Sequence, residues 1–117
     1  ETLFLKDSLD ITPALRKKIL SAANKTKTQN IIIAHGTSAM TVTADFLKKQ
    51  IGKTDKKIIL TGAMIPMKEH VMSDGEFNIG FAAGAIEYLK PGVYIAMNGK
   101  IFAAGETRKN VKKARFE

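Results

Sequence analysis

Short apolar runs alternate with amphipathic segments along this sequence. Unbroken apolar runs are typical of strands that are buried on both faces of a parallel sheet. We predict three such strands, near residues 30–34, 57–61 and 93–97, and residues 1–5 resemble the end of another. Apolar residues at helical spacing lie between these runs. They predict three helices, near residues 13–23, 40–51 and 76–89.

Local signals mark several element boundaries. Thr12-Pro13 combines a capping hydroxyl with a proline at the first helical position, so a helix should begin there. Gly52 is suited to end the second helix, and Asn98-Gly99 is a strong hairpin signal. Each helix has a predicted buried face: Leu15, Ile19, Ala22 and Ala23 in the first, Met40, Ala44, Leu47 and Ile51 in the second, and Phe77, Phe81, Ala85 and Leu89 in the third. The basic residues of the first helix are expected to point away from its buried face.

The alternation of strand and helix predicts an α/β fold with three layers, a parallel sheet flanked by helices of the Rossmann or flavodoxin-like kind. Because the sequence has 117 residues and no internal repeat, we expect residues 1–117 to form one domain. The sequence starts with Glu1 and enters an apolar run almost at once, so we expect a start within a domain. Sites in such sheets lie beyond the carboxyl ends of the strands.

The charge balance raises the question of an anionic partner, since the net charge is +8. The densest stretch is Arg108–Arg115, where five of eight residues are basic, but no aromatic residue lies within it to stack on a base. A solvated basic face is therefore favoured over specific nucleic-acid binding. The absence of cysteine excludes disulfides and thiolate metal sites and is compatible with a cytoplasmic location. No apolar run approaches the ~20 residues of a membrane-spanning helix.

Two predicted strands end in turns that could carry chemistry. His35-Gly36-Thr37-Ser38 places hydroxyls and backbone amides before a helix, where an anion or oxyanion could bind. Thr61-Gly62-Ala63-Met64 follows the next strand, and its glycine lets a ligand approach the backbone. These residues also have common structural interpretations. A hydroxyl before a helix is more often a cap than a nucleophile, and a histidine at the end of a buried strand is more often structural than a base.

Several segments together resemble the L-asparaginase and glutaminase-asparaginase family. IIIAHGTSAM at 31–40 and ILTGAMIP, which runs from Ile59 to Pro66, resemble the family's HGTDTM and LTGAM-x-P segments. SDGEFN at 73–78 is similar to its S-x-DG-x-x-N pattern, with one residue fewer between the serine and the aspartate. VYIAMNGKI at 93–101 and KDSLDI at 6–11 resemble its M-N-G strand pair and its substrate-binding D-S-x-D-M turn.

This resemblance implies the family's α/β domain and hydrolysis of the side-chain amide of asparagine, sometimes glutamine, with two threonines and no metal or cofactor. Thr37 matches the second threonine, and Lys109 falls at the position of the lysine base. The implied substrate-binding residues are Ser8, Gly36, Ser38 and Ala63, with Ser8 holding the α-carboxylate and the Ala63 carbonyl lying near the leaving ammonia. A small amide amino acid as substrate, a homo-oligomer and a cytoplasmic location are also implied, without a membrane or specific nucleic-acid partner.

Two departures from the family pattern leave three functions open. The family's first threonine lies in a TGGTI loop on its first strand, and this loop does not occur in the 117 residues, so we expect the chain as given to be catalytically incomplete. Ser38 replaces the aspartate that grips the substrate's α-ammonium, and serine supplies no negative charge. The leading hypothesis is an asparaginase-type enzyme, ahead of an inactive amino-acid-binding or regulatory relative and a basic nucleic-acid adaptor.

Overall fold

Parallel strands form the centre of the molecule. The computed structural model describes residues 2–4, 11–65 and 72–117. A five-stranded sheet, whose strands lie side by side in sequence order, is flanked by helices, and a separate two-stranded sheet follows. The elements are β1 (Thr2–Phe4), α1 (Pro13–Lys25), β2 (Asn30–Ala34), α2 (Met40–Ile51), β3 (Lys57–Thr61), α3 (Gly75–Ala85), a 3₁₀ turn (Ile86–Tyr88), β4 (Gly92–Met97), β5 (Lys100–Ala103), β6 (Lys109–Asn110) and β7 (Arg115–Phe116).

Strand pairing in the large sheet follows the prediction. The strands β1 to β4 pair in parallel in sequence order, with Ala34 opposite Thr61 at the carboxyl edge of β2 and β3. β5 returns antiparallel to β4 through Asn98-Gly99. Both turn residues have positive φ, 57° and 68°, which is the backbone of a type I′ hairpin turn. The three predicted parallel strands, the strand near the start and the hairpin are therefore confirmed.

Two apolar clusters cover the two faces of the sheet. The larger one packs α1, α2 and Phe116 against alternate residues of β2, β3 and β4. The smaller one packs α3 and the 3₁₀ turn against the opposite face of the same strands. Because both faces are covered, the strands are apolar without interruption, and the three-layer α/β prediction is confirmed. None of the helices within the described ranges is long and apolar enough to span a membrane.

The predicted ends of the first two helices are also observed. Thr12 caps α1, its side chain accepting a hydrogen bond from the Leu15 amide at 3.2 Å, and proline occupies the first turn. Gly52 ends α2 with a φ of 60°. One detail of α1 differs from the prediction that its basic residues point away. Arg16 turns inward, and its Nε donates to Thr43 Oγ1 at 3.3 Å.

The predicted buried face of α3 is wrong at Phe77, which is 63% exposed. The residues that face the sheet are Asn78, Ala82 and Ile86, one helical turn apart. Periodicity does not define a face here because this helix has apolar residues on all sides, so a polar asparagine could take a sheet-facing position. The regular helix also ends at Ala85, and the 3₁₀ turn continues it to Tyr88.

Candidate active site

Two backbone turns meet at the carboxyl edge of the sheet. The amide of His35, just beyond β2, donates to the carbonyl of Thr61 at 2.8 Å and continues the ladder past the last strand residue. Gly62 then passes so close that a Cβ atom on it would lie 2.1 Å from the His35 carbonyl oxygen. The glycine interpreted from the sequence as room for a ligand is thus required by the close packing of the two turns. As a result, both turns border one surface.

A lysine from the far end of the chain reaches this surface. Lys109 Nζ donates to Thr37 Oγ1 at 2.8 Å, although 72 positions separate them in sequence. Both residues are partly buried. The alternative interpretation of Thr37 and Ser38 as helix caps is not what the structure shows, because Ala39 occupies the N-cap of α2 and no side chain caps that helix. The Thr37 hydroxyl is thus directed to the amine rather than to the helix.

The short β6-β7 hairpin positions Lys109. Lys109 pairs with Phe116 across the two strands, and the Phe116 side chain, 2% exposed, is anchored in the larger core cluster. The amide of Phe116 donates to Asn98 Oδ1 at 2.7 Å, which joins this hairpin to the β4-β5 turn. A buried aromatic side chain and a turn asparagine therefore determine where the lysine amine lies.

Glu117 forms ion pairs with basic side chains of the same hairpin. Its carboxylate accepts hydrogen bonds from Asn110 at 2.8 Å and from Arg108 and Arg115 at 3.2 Å. The bonds from Asn110 and Arg115 lower the pKa of Glu117 to about 2. Each ion pair found among the described residues runs to Glu117, and none of these includes Lys109. The amine of Lys109 therefore faces the Thr37 hydroxyl without a carboxylate partner in the part of the chain that the structure describes.

His35 is a supporting residue rather than a base. The side chain is 3% exposed, and Nδ1 lies 2.6 Å from the Gly36 carbonyl oxygen, which can only accept a hydrogen bond. Nδ1 therefore carries the proton, and Nε2 accepts from the Thr43 hydroxyl at 2.9 Å. Burial lowers the pKa of His35, so the ring is neutral in the folded protein. Both ring nitrogens are occupied in holding the Gly36-Thr37 turn on α2.

The neutral ring of His35 predicts how the free energy of unfolding depends on pH. A histidine with a lowered folded pKa contributes stability above its unfolded pKa of about 6.5, and this is lost as the pH falls below that value. We expect the urea-derived free energy of unfolding to decrease between about pH 7 and pH 5, with a slope of at most ~1.4 kcal/mol per pH unit from His35. The His35→Gln variant should lack this component. Parallel pH profiles of the free energy of unfolding for the two proteins would contradict the neutral assignment of His35.

Two residues with no predicted role organise the second turn. Asp74 accepts hydrogen bonds from the backbone amides of Met64 at 3.0 Å and Ile65 at 2.9 Å. Asn78 donates to the Gly62 carbonyl at 2.8 Å and to Asp74 Oδ2 at 3.0 Å. We call this pair the Asp74–Asn78 clamp. The S-x-DG-x-x-N resemblance contained both residues, but it gave no reason to place them at this turn.

The remaining predicted site residues are placed as follows. Gly36 and Ala63 are partly buried, one in each of the two turns, and Ser38 is exposed next to Thr37. Ser8 lies outside the described residues, as does most of the KDSLDI segment. The structure thus brings Gly36, Thr37 and Ser38 together with Lys109 on the edge that also bears Ala63.

The fold and this edge define the class: a three-layer α/β domain that carries a threonine–lysine pair beyond the carboxyl ends of a parallel sheet. Comparison with known proteins supplies the family. Residues 1–116 match the family described as Asparaginase, N-terminal, and the chain belongs to it. The resemblance found in the sequence motifs is therefore confirmed.

Individual relatives agree with this assignment. The chain is 34% identical over 101 residues to the glutaminase-asparaginase of Acinetobacter glutaminasificans, covering 84% of the chain and 30% of that protein. The structure of a probable cytoplasmic L-asparaginase from Campylobacter jejuni matches with a TM-score of 0.76 and 32% identity, covering 96% of this chain and 38% of that one. The thermostable L-asparaginase from Thermococcus kodakarensis matches with a TM-score of 0.80 and 26% identity, covering 96% and 35%. The chain spans about a third of the length of these proteins.

Proposed function

We propose that this domain serves an asparaginase-type amidohydrolase that converts L-asparagine, or a related amide, to the acid and ammonia. The observation that carries the proposal is the 2.8 Å contact between Lys109 Nζ and Thr37 Oγ1. A hydroxyl needs an adjacent base to become a useful nucleophile, and this distance lies within hydrogen-bond reach. Membership of a family described as Asparaginase, N-terminal, with matched relatives that include a glutaminase-asparaginase and a thermostable L-asparaginase, supports the same reaction.

The pair supplies an activated oxygen. The neutral amine of Lys109 takes the proton of the Thr37 hydroxyl, and the freed oxygen attacks the carbon of the substrate amide. The carbon–nitrogen bond then breaks, the ammonium of Lys109 returns a proton to the departing nitrogen, and water hydrolyses the resulting ester to the acid. The family's further threonine, in its TGGTI loop, is expected in the polypeptide that performs the full reaction.

The neighbouring turns would orient the substrate. In this proposal Gly36 and the exposed Ser38 border the substrate on one side, and the Ala63 carbonyl lies on the other, near the departing ammonia. Ser8 would hold the α-carboxylate. Active sites shared between subunits of a homo-oligomer and a cytoplasmic location belong to the same proposal. The test is ammonia release by the full-length protein from L-asparagine, L-glutamine and succinamic acid, which lacks the α-ammonium. Release from none of the three would reject the proposal.

A second candidate function is supported by Ser38. A relative that binds an amino acid without hydrolysing it could dispense with the acidic residue that the family has beside its threonine. Ser38 is exposed next to Thr37 and brings no charge to an α-ammonium. Retention of the Lys109–Thr37 contact favours the enzyme, because a protein that only binds has no need of a base on its hydroxyl.

Restoring the carboxylate should strengthen amino-acid binding. A charge-assisted hydrogen bond contributes roughly 1.5–3 kcal/mol, so Ser38→Asp should lower the Kd for L-aspartate by about one to two orders of magnitude. The measurement is calorimetric titration of both forms of the full-length protein. Thr28→Asp is the matched control, since it adds the same charge to an exposed residue just before β2, at the other end of the strand. Equal affinity of the Ser38→Asp and unsubstituted proteins would mean that position 38 does not face the ligand.

A further inference from the structure

Asp74 is used in an unusual way for its place in the fold. It is the N-cap residue of α3, where an aspartate side chain normally accepts a hydrogen bond from a backbone amide of its own helix. Here its side chain makes no such bond, and both oxygens accept backbone amides of the turn after β3 instead. The helix therefore gives up the cap by Asp74, while the turn gains two charge-assisted hydrogen bonds.

Asn78 is equally unusual, because a polar residue takes a fully buried position on the sheet-facing side of α3. The residue is 2% exposed, whereas the next two sheet-facing residues are the apolar Ala82 and Ile86. Its amide nitrogen reaches the Gly62 carbonyl, the Asp74 carboxylate and, at 3.6 Å, the sulfur of Met97. A polar group at this depth is tolerated only with such partners, and those partners tie it to the turn.

The clamp holds both peptide groups that flank Ala63. Asn78 holds the Gly62 carbonyl, which belongs to the peptide before Ala63, and Asp74 holds the Met64 amide, which belongs to the peptide after it. No peptide bond in the described chain is cis, and a trans peptide directs its carbonyl opposite to its N–H. The Ala63 amide and carbonyl must therefore both point away from the clamp side chains that hold these peptides.

We propose that Asp74 and Asn78 are positioning residues that aim the Ala63 backbone at the substrate beside the Thr37–Lys109 pair. The inference rests on the proposed amide hydrolysis, since it assigns the clamp to that reaction. Gly62 packs against His35, which links the clamped turn to the turn that carries Thr37. Misplacement of a polar group by about 1 Å at a reacting centre can lower the rate roughly 10²-fold, so a clamp of this kind has a measurable effect.

The experiment replaces Asp74 with asparagine in the full-length protein. Asp74→Asn keeps the shape but leaves one accepting oxygen for two backbone amides. We expect kcat for L-asparagine to fall about 10²-fold while KM changes by less than about threefold, because the substrate still binds but meets a misaligned backbone. Hydrogen exchange of the Met64 and Ile65 amides, followed by NMR, should become faster. Thr61→Val is the matched control: it removes a buried hydrogen bond to the Ala96 carbonyl, 2.7 Å long, without touching the clamp.

The possible outcomes distinguish failure of the positioning role of the clamp from failure of the proposed hydrolysis. Faster exchange at Met64 and Ile65 with an unchanged kcat would overturn the positioning role, as would unchanged exchange. A loss of kcat in Thr61→Val equal to that in Asp74→Asn would also overturn it, because general destabilisation would then explain both. If the unsubstituted protein released no ammonia from any amide, the proposed function itself would fail. The positioning role of the clamp would then fail with it, whatever the exchange rates.

Discussion

Lys109→Met is expected to lower kcat for L-asparagine by about 10²–10⁴-fold in the full-length protein, the range that a positioned general base contributes. Methionine keeps an unbranched side chain at this position but cannot take the proton of the Thr37 hydroxyl. The substrate contacts proposed for Gly36, Ser38 and Ala63 would be left in place, so KM should change little. Steady-state kinetics of the variant provide the measurement.

A double variant makes the test specific to the pair. If Lys109 acts only through Thr37, then Thr37→Ala combined with Lys109→Met should be about as slow as the slower single variant. Lys112→Met is the control, because Lys112 is an exposed cation three residues further along the same hairpin. Multiplying effects in the double variant, or an equal loss in Lys112→Met, would show that the 2.8 Å contact is not a functional unit.

Gly62→Ala is expected to have the largest effect on stability. The added methyl carbon would lie 2.1 Å from the His35 carbonyl oxygen, a backbone atom that cannot move without breaking the ladder between the two turns. Overpacking against a fixed neighbour should lower the free energy of unfolding by about 3 kcal/mol or more, a large share of the ~5–15 kcal/mol typical of a domain. The midpoint of urea unfolding measures this loss.

Gly80→Ala is the matched control for that substitution. Gly80 lies exposed in α3, and a Cβ atom there has no neighbour within 4 Å. Alanine favours a helix over glycine by roughly 0.5–1 kcal/mol, so this variant should be slightly more stable than the parent protein. Similar unfolding midpoints for Gly62→Ala and the parent would mean that the two turns are not packed as described.

The parallel strands are predictable because their environment is uniform. β2 and β3 are covered on both faces, so Ile31, Ile32 and Ile33 are all buried and no polar residue interrupts the run. Thr12, Gly52 and Asn98-Gly99 are predictable for a different reason, since each meets a local backbone requirement. The local sequence of each of these elements is therefore enough to predict it.

Other features depend on contacts between distant parts of the chain. The burial of Phe77 was predicted wrongly because α3 has apolar residues on all sides, and only packing against the sheet decides which side turns inward. β6 and β7 have two residues each, too few to show a periodicity. The pairing of Lys109 with Thr37 across 72 positions had no local signal and came from the family resemblance alone.

Asp74 and Asn78 illustrate what motif matching leaves out. Their spacing of four residues places them on one side of a helix, which the sequence does show. Their partners are backbone groups of Gly62, Met64 and Ile65, which have no side-chain signature that a sequence could reveal. The structure was needed to connect a helix start with a turn at the strand end.

The most direct measurement is ammonia release from L-asparagine by the full-length protein and its Thr37→Ala variant, purified from a host that lacks its own asparaginases. The Lys109–Thr37 contact predicts hydrolysis by the unsubstituted protein and a loss of at least about 10²-fold in the variant. Equal rates from the two proteins would contradict the assignment of Thr37 to the reaction, and no release from the unsubstituted protein would contradict the proposed hydrolysis itself.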